Sequence, residues 1–181
     1  MAMTTMGLEP TSTVGPVTAD ELCQLYAPLV CRFASLMAPT PHDAEDLAQE
    51  SLLRAVRGLP SFDPRRGTPK AWLWRIVANA ANDAASRRQR LNDLIVRLRI
   101  LSPPETESIE DAAIMQIRDG ELRALLARLP LRDRRLLALR YGADLGPAEI
   151  ADVLGLTTPT ASRAIRRALA RLRLLCKETL Q

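Results

Sequence analysis

Apolar residues that recur at intervals of three and four are the feature that most limits the fold of this chain. Between residues 22 and 37 they form one continuous stripe: Leu22, Leu25, Tyr26, Leu29, Val30, Phe33, Leu36 and Met37. Period-two alternation, the pattern of a half-buried strand, is hardly visible anywhere. Aromatic residues make up only 3% of the chain and apolar residues 47%, so the core must be built from Leu, Ala, Val and Ile. We therefore expect an all-α protein.

Caps and helix breakers divide the chain into two helical halves. Thr18 followed by Glu21 is a capping box at the start of the first helix, and an acidic, proline-bearing segment between the halves indicates a flexible linker. The expected helices span about 18–37, 41–59, 69 to beyond 90, 116–129, 131–141, 147–154 and 158–177. The expected organisation is a disordered tail (1–17), a small helical domain (18–92), a linker (93–116) and a second small helical domain (117–181).

Charge alternates in blocks along the chain, although the formal net charge is only +4. Residues 41–50 carry four acids and no Lys or Arg, whereas residues 64–90 carry seven basic residues against a single acid. Residues 105–121 are acidic again, and residues 156–177 carry six basic residues and no acid. The two basic blocks, one in each half, favour two separate contacts with nucleic acid.

The stretch LGPAEIADVLGLTTPTASRAIRRALARLR predicts a helix-turn-helix. A short helix begins at Pro147 and stops at Gly155, and a longer helix follows with Thr158 as its cap. On the longer helix Arg163 and Arg167 project away from the apolar side, where an arginine can fork onto guanine with about 1–3 kcal/mol of discrimination. The alternative is an arginine-rich helix face that is simply solvated.

The stretch AWLWRIVANAANDAASRRQR predicts a long helix in the first half that suits unpaired bases. Trp72 is interpreted as a core residue, and polar and cationic side chains are left on the outer face. Single-stranded nucleic acid is held by a basic track together with aromatic or pocket contacts to splayed bases. The terminal RRQR is expected to contact phosphates.

Several functional classes are disfavoured by the sequence. Three cysteines without CxxC spacing and a single histidine, His42, argue against a disulfide framework and a structural metal. The N-terminus lacks the pattern of a signal peptide, and no apolar run reaches the length of a membrane span. We expect a cytoplasmic chain without cofactor, metal or catalytic residues.

Three stretches, taken in order, resemble a known family: DAEDLAQESLLRA, FDPRRGTPKAWLWRIVANAANDAASRR and LARLPLRDRRLLALRYGADLGPAEIADVLGLTTPTASRAIRRALARLR. They are similar to regions 2 and 4 of extracytoplasmic-function (group 4) bacterial sigma factors, over about residues 18–178. The resemblance implies a protein that binds core RNA polymerase and directs promoter-specific transcription initiation. It would read the minus-ten element as a single strand and the minus-thirty-five element as duplex.

The resemblance also implies roles for individual residues. Docking on the clamp helices of the largest polymerase subunit is assigned to Asp43, Asp46, Leu47, Gln49, Glu50 and Leu53. Capture of the minus-ten strand, with one base flipped into a loop, is assigned to Ser61, Phe62, Asp63, Arg65, Arg66, Lys70, Trp74, Arg75, Asn79, Asp83, Arg87 and Arg88. Duplex reading is assigned to Thr158, Thr160, Ser162, Arg163, Arg166 and Arg167. The implied partners are the polymerase clamp helices and flap tip, promoter DNA and an anti-sigma factor, without direct insertion into a membrane.

Two other functions compete with this interpretation. A stand-alone helix-turn-helix regulator would explain residues 130–178, but it does not explain a second basic cluster with tryptophans. A magnesium-dependent nuclease could use Asp43, Asp46 and Glu50 as metal ligands. These carboxylates, however, lie in the first turns of an ordinary amphipathic helix.

Overall fold

The computed structural model describes the backbone of residues 18–99 and 115–179, and the side chains of residues 18–95 and 120–179. All regular elements in this part of the chain are helical, which confirms the all-α fold. The helices are α1 (Ala19–Met37), α2 (Pro41–Gly58), α3 (Pro69–Arg99), α4 (Met115–Ala127), α5 (Leu131–Leu137), α6 (Pro147–Leu154) and α7 (Thr158–Thr179). Two 3₁₀ turns (Leu59–Ser61 and Pro64–Arg66) join α2 to α3, and a π turn (Ala138–Gly142) continues α5.

The predicted boundaries agree closely with these helices, with two corrections. The helix α3 continues to Arg99 and therefore enters the segment predicted as a linker. Most of that linker and the whole predicted tail lie outside the described residues. The helix α7 begins at Thr158, the residue predicted as its cap; Thr157 precedes the helix, and its carbonyl accepts the Ala161 N–H at 2.9 Å. No helix within the described ranges has both the length and the apolarity needed to cross a bilayer.

Short-range signals fix the helix ends. The hydroxyl of Thr18 accepts the Glu21 N–H at 3.2 Å while the Glu21 carboxylate accepts the Thr18 N–H at 2.9 Å, which completes the predicted capping box. Thr40 caps α2 in the same manner by accepting the Asp43 N–H. The chain leaves α6 through Gly155 at φ 65°, a left-handed conformation that glycine adopts without steric cost.

The core of the first half lies between α1, α2 and α3. Trp74 is completely buried, and its ring packs edge-on against Phe33 with 5.7 Å between the centroids. Most of the other buried residues on α2 and α3 are alanines: Ala44, Ala48, Ala55, Ala78, Ala80 and Ala81. Because a methyl group is all that separates the helix backbones at these positions, the helices approach each other closely.

The two halves also pack directly against each other. Buried residues of α1, such as Phe33, and buried residues of α6, such as Ile150, belong to one continuous apolar cluster. A second, smaller cluster joins α4, α5 and α7 through Leu126, Leu129, Leu137 and Ala168. The two helical halves of the described part of the chain are therefore in direct apolar contact, and the second half has a small cluster of its own.

Candidate nucleic-acid interface

A groove lies where the loop before α3 meets the first turns of that helix. We call it the loop groove, and its cavity volume is about 470 Å³. It is lined by Ser61, Phe62, Asp63, Arg66, Trp72, Arg75, Ile76 and Asn79. Six of these eight residues are among those assigned to the minus-ten strand from the sequence. The volume lies within the range of about 300–1,000 Å³ that is usual for ligand pockets.

An aromatic pair forms one wall of the loop groove. The rings of Phe62 and Trp72 are 5.4 Å apart between centroids and tilted by 56°. The assignment of Trp74 to the DNA strand is therefore corrected, because this residue has no exposed surface and cannot contact DNA in this conformation. Trp72 packs against the core, as expected, but it is only partly buried and also lines the groove. Their separation of two positions turns them to different sides of the helix, so Trp74 is fully buried whereas Trp72 is only partly buried.

The loop itself is held by Asp63. One carboxylate oxygen accepts the Arg65 backbone N–H at 3.0 Å and the Arg65 Nε–H at 3.2 Å, which caps the turn Pro64–Arg66. These hydrogen bonds from Arg65, on side chain and backbone, lower the pKa of Asp63. The Arg65 side chain remains 90% exposed and does not line the groove, whereas Arg66 does.

Other residues assigned to the minus-ten strand lie elsewhere. Asp83 accepts a hydrogen bond of 2.7 Å from Arg54, which also binds Glu50 at 2.7 Å and so ties α2 to α3. Lys70 pairs with Glu149 of α6 at 2.6 Å. Arg54 is not among the residues predicted from the sequence, although its position four residues after Glu50 is the spacing of a helical ion pair.

A second groove, the α2–α3 groove, brings together all six residues assigned to the polymerase. It has a volume of about 570 Å³ and is lined by Asp43, Asp46, Leu47, Gln49, Glu50, Leu53, Ala84, Arg87, Arg88 and Leu91. Leu47 is buried in its floor, whereas Leu53 is 49% exposed. Arg87 and Arg88, assigned to the DNA strand, therefore lie beside the polymerase candidates.

The acids of the α2–α3 groove are engaged by protein partners. The Thr40 hydroxyl donates to Asp43 at 2.6 Å and is the main cause of its lowered pKa, to which the nearby Arg88 guanidinium adds. Glu50 binds Arg54. Within the described residues, no group of three or more His, Cys, Asp or Glu side chains is arranged to hold a metal ion. Two of the three carboxylates that the nuclease alternative assigns to a metal, those of Asp43 and Glu50, are thus bound by side chains of the protein itself.

The exposed side of α7 forms a third groove, of about 540 Å³, which we call the α7 groove. It is lined by Thr160, Arg163, Arg166, Arg167 and Ala170. Ser162 is half-buried and outside this lining, and Thr158 is exposed at the start of the helix. The opposite side of α7 packs against the core through Ala161, Ala164, Ile165 and Ala168, as the periodicity predicts.

A buried carboxylate lies among the arginines of the second half. Asp133, with 6% of its surface exposed, forms an ion pair with Arg171 of α7. Together with Arg132 and Arg167 these residues line a smaller groove that adjoins the α7 groove. Asp133 is not among the residues predicted from the sequence, because its pairing with Arg171 joins residues 38 positions apart.

Family models match both halves of the chain. The model of Sigma-70 region 2 matches residues 22–91, and the model of Sigma-70, region 4 matches residues 119–172. The ECF RNA polymerase sigma factor RpoE of Cereibacter sphaeroides is 30% identical over 155 residues, which are 84% of this chain and 83% of RpoE. SigM of Bacillus subtilis is 28% identical, over 88% of this chain and 95% of SigM. SigE of Mycolicibacterium smegmatis is 32% identical, over 85% of this chain but only 60% of SigE.

Solved structures share the fold across both halves. CnrH in complex with the cytosolic domain of CnrY matches with a TM-score of 0.66 at 22% identity, covering 88% of each chain. The sigma factor RpoE in complex with the anti-sigma factor NepR, from Bartonella quintana, matches with a TM-score of 0.64 at 24% identity, covering 87% of this chain and 96% of RpoE. The two family models and the sequence relatives decide against a stand-alone regulator. The chain belongs to the ECF RNA polymerase sigma factors, which direct transcription initiation from promoters.

Proposed function

We propose that the three grooves of this sigma factor bind three different partners. The α2–α3 groove binds core RNA polymerase, the loop groove binds the opened minus-ten strand, and the α7 groove binds the minus-thirty-five duplex. The observation that carries the proposal is the wall formed by Phe62 and Trp72 in the loop groove, with Arg66, Arg75 and Asn79 around it. It combines, in one cavity, aromatic surface for a base and cations for its phosphates.

The loop groove has the chemistry needed to hold an extruded base. Taking a base out of the stack costs a few kcal/mol, which contacts in the pocket must offset. Stacking on an aromatic ring contributes about 1–3 kcal/mol per base. Asn79 offers both a donor and an acceptor for a base edge, and Arg66 and Arg75 offer guanidinium groups for the backbone.

The α7 groove suits a duplex because its polar residues follow one side of a single helix. Arg163, Arg166 and Arg167 are all exposed there, and the helix-turn-helix geometry directs such a helix into the major groove. Arg163 is within 3.3 Å of the Pro159 carbonyl of its own helix, so it must release this contact to reach a base. Arg171, held by Asp133, lines a groove together with Arg167 and offers a further cation for a phosphate.

The α2–α3 groove combines acids with an exposed leucine, as a protein interface requires. Asp46 and Glu50 provide negative charge, and Leu53 provides apolar surface beside them. Its partner would be the clamp helices of the largest subunit, and the second half would contact the flap tip. An anti-sigma factor that covers both halves is the further partner that the family relationship supports. The site of action is the cytoplasm, where the polymerase and the chromosome are.

Run-off transcription with core RNA polymerase on a library of promoter-like DNAs tests the proposal. We expect initiation to depend on the chain and to select a two-part motif. Arg66→Ala should reduce initiation, and Arg57→Ala is the matched control, because Arg57 is an exposed arginine on α2 outside the loop groove. Initiation that is independent of the chain, or equal losses in the two variants, would contradict the proposal.

A further inference from the structure

Gly58, the last residue of α2, adjoins the loop groove without lining it. Its backbone has φ −82° and ψ −14°, ordinary right-handed helical geometry that any residue adopts. The backbone therefore does not require glycine here, in contrast to Gly67 and Gly155, whose φ angles are positive. Alanine would also be the better helix former at this position. The reason for glycine must come from what surrounds the residue.

The surroundings of Gly58 supply a steric reason. A Cβ atom there would be 3.2 Å from Cζ2 and 3.8 Å from Cη2 of Trp72, and 4.0 Å from Cδ1 of Ile76. Carbon atoms attract one another best at about 3.5–4.0 Å, so an added methyl group would push the indole ring away. Both neighbours line the loop groove, and the indole is the ring that forms its aromatic wall with Phe62.

Gly58 also holds the loop that forms another part of the groove. The Ser61 hydroxyl donates to the Gly58 carbonyl at 2.7 Å, and Ser61 is itself a lining residue. The next residue, Phe62, donates its backbone N–H to the Leu59 carbonyl at 3.0 Å, so the loop is folded back onto the end of α2. Gly58 thus contacts the loop through its carbonyl and the helix wall through the absence of a side chain.

We propose that Gly58 is a positioning residue for the minus-ten strand, which keeps the Trp72 ring where an extruded base can stack on it. The inference rests on the proposed function, because it requires the loop groove to bind a base. Gly58 acts through Trp72 and does not touch DNA itself. The ring can lie this close to the end of α2 only because no side chain projects from residue 58. The aromatic wall carried by α3 is therefore placed from α2.

The variant Gly58→Ala tests the inference, because it adds one methyl group and keeps the carbonyl that Ser61 uses. Gly120→Ala is the matched control: it makes the same change within helix α4, where a Cβ meets nothing within 4 Å. Trp72→Phe is the rescuing background. Phenylalanine keeps a ring for stacking but lacks the outer ring of the indole, to which the two atoms nearest the added methyl group belong.

The affinity of holoenzyme is measured for a labelled promoter fragment whose minus-ten segment is held single-stranded. The fragment is used intact and with each base of the segment replaced in turn by an abasic site. In the parent chain, the abasic position that costs the most affinity identifies the extruded base. A fragment that lacks this base reports every contact of the strand except stacking on Trp72.

We expect Gly58→Ala to bind the intact fragment roughly 1.5- to 12-fold more weakly than the parent chain. Stacking accounts for roughly 5- to 150-fold in affinity, and a gap of about 0.5–1 Å forfeits a quarter to a half of a contact's energy. On the fragment without the extruded base, Gly58→Ala and the parent should bind equally. In the Trp72→Phe background, Gly58→Ala should have no further effect on the intact fragment.

Three results would overturn the inference and leave the proposed function in place. The first is a Gly58→Ala affinity equal to that of Gly120→Ala. The second is an equal loss on the intact and abasic fragments, which would make Gly58 a residue of the fold alone. The third is a loss that persists in full in the Trp72→Phe background. If no abasic position weakens binding by the parent chain, the loop groove holds no base, and the proposed function and the role of Gly58 fail together.

Discussion

Replacing each tryptophan of α3 in turn separates strand binding from stability. Trp72→Ala removes the ring that lines the loop groove beside Phe62, whereas Trp74→Phe changes a ring that is completely buried against Phe33. Because stacking contributes about 1–3 kcal/mol per base, we expect Trp72→Ala to weaken binding of the minus-ten strand by roughly 5- to 150-fold. Trp74→Phe should leave this affinity unchanged and lower the free energy of unfolding by about 0.5–3 kcal/mol.

The assay uses holoenzyme and a fluorescently labelled promoter fragment whose minus-ten segment is held single-stranded by mismatches. Trp72→Phe serves as the conservative variant, since it keeps a ring on which a base can stack, and urea unfolding of each chain reports its stability. Two results would refute the reasoning: an affinity of Trp72→Ala within twofold of the parent, or equal affinity losses in the Trp72→Ala and Trp74→Phe variants. Either would mean that no base stacks on this wall.

Three further predictions concern stability and duplex binding. Arg54→Met removes the ion pairs with Glu50 and Asp83. Since partly exposed pairs contribute about 0.2–1 kcal/mol each, urea unfolding should show a free energy of unfolding lower by about 1 kcal/mol, with a smaller difference at high salt. A difference that does not depend on salt would contradict an ionic contribution. Arg167→Ala should reduce the slope of log affinity against log salt for minus-thirty-five duplex by about 1, whereas an unchanged slope would remove Arg167 from the phosphate contacts. Burial raises the pKa of Tyr26, so the stability that comes from its neutral form is complete below about pH 10 and is lost as the pH rises through the raised pKa. In Tyr26→Phe, the free energy of unfolding measured with urea should therefore fall less steeply with pH in this range. An equally steep fall in the variant would assign the pH dependence to other groups.

Local signals account for most of the fold that the sequence could predict. The capping box at Thr18, the proline that opens α6 and the left-handed Gly155 each act within a few residues, so their effect is readable from the chain alone. The α7 groove was predictable for the same reason, because one helix face supplies all its residues. The grouping of the polymerase candidates in one groove came from the family resemblance, and the structure brings those residues together.

The tryptophans mark where the sequence was ambiguous. Both lie within an apolar stretch of an aromatic-poor domain, and periodicity alone does not say which of two residues on opposite helix faces is inside. A signal was present, since Trp72, Arg75, Ile76 and Asn79 follow spacings of three and four and so share one face. That face is the wall of the loop groove.

The contact between the halves could not be predicted from periodicity. It depends on the approach of Gly142 to the backbone of Phe33, two residues separated by more than one hundred positions. A glycine at the end of a helical segment is ordinarily explained as a helix stop, and nothing in the sequence nearby names its partner. The same holds for the pairs formed by Lys70 with Glu149 and by Asp133 with Arg171.

The alanine-lined contacts inside the first half have a consequence for how such a protein can diverge. Helices spaced by methyl groups, as at Ala48, Ala55, Ala78 and Ala81, leave no volume for a larger side chain, and overpacking such positions typically costs about 1–3 kcal/mol. We therefore expect tolerated substitutions to occur mainly on the outward faces of the same helices, where the grooves lie. A lineage can in this way acquire a new promoter preference by exchanging surface residues, while the spacing of the helices that carry them is inherited unchanged.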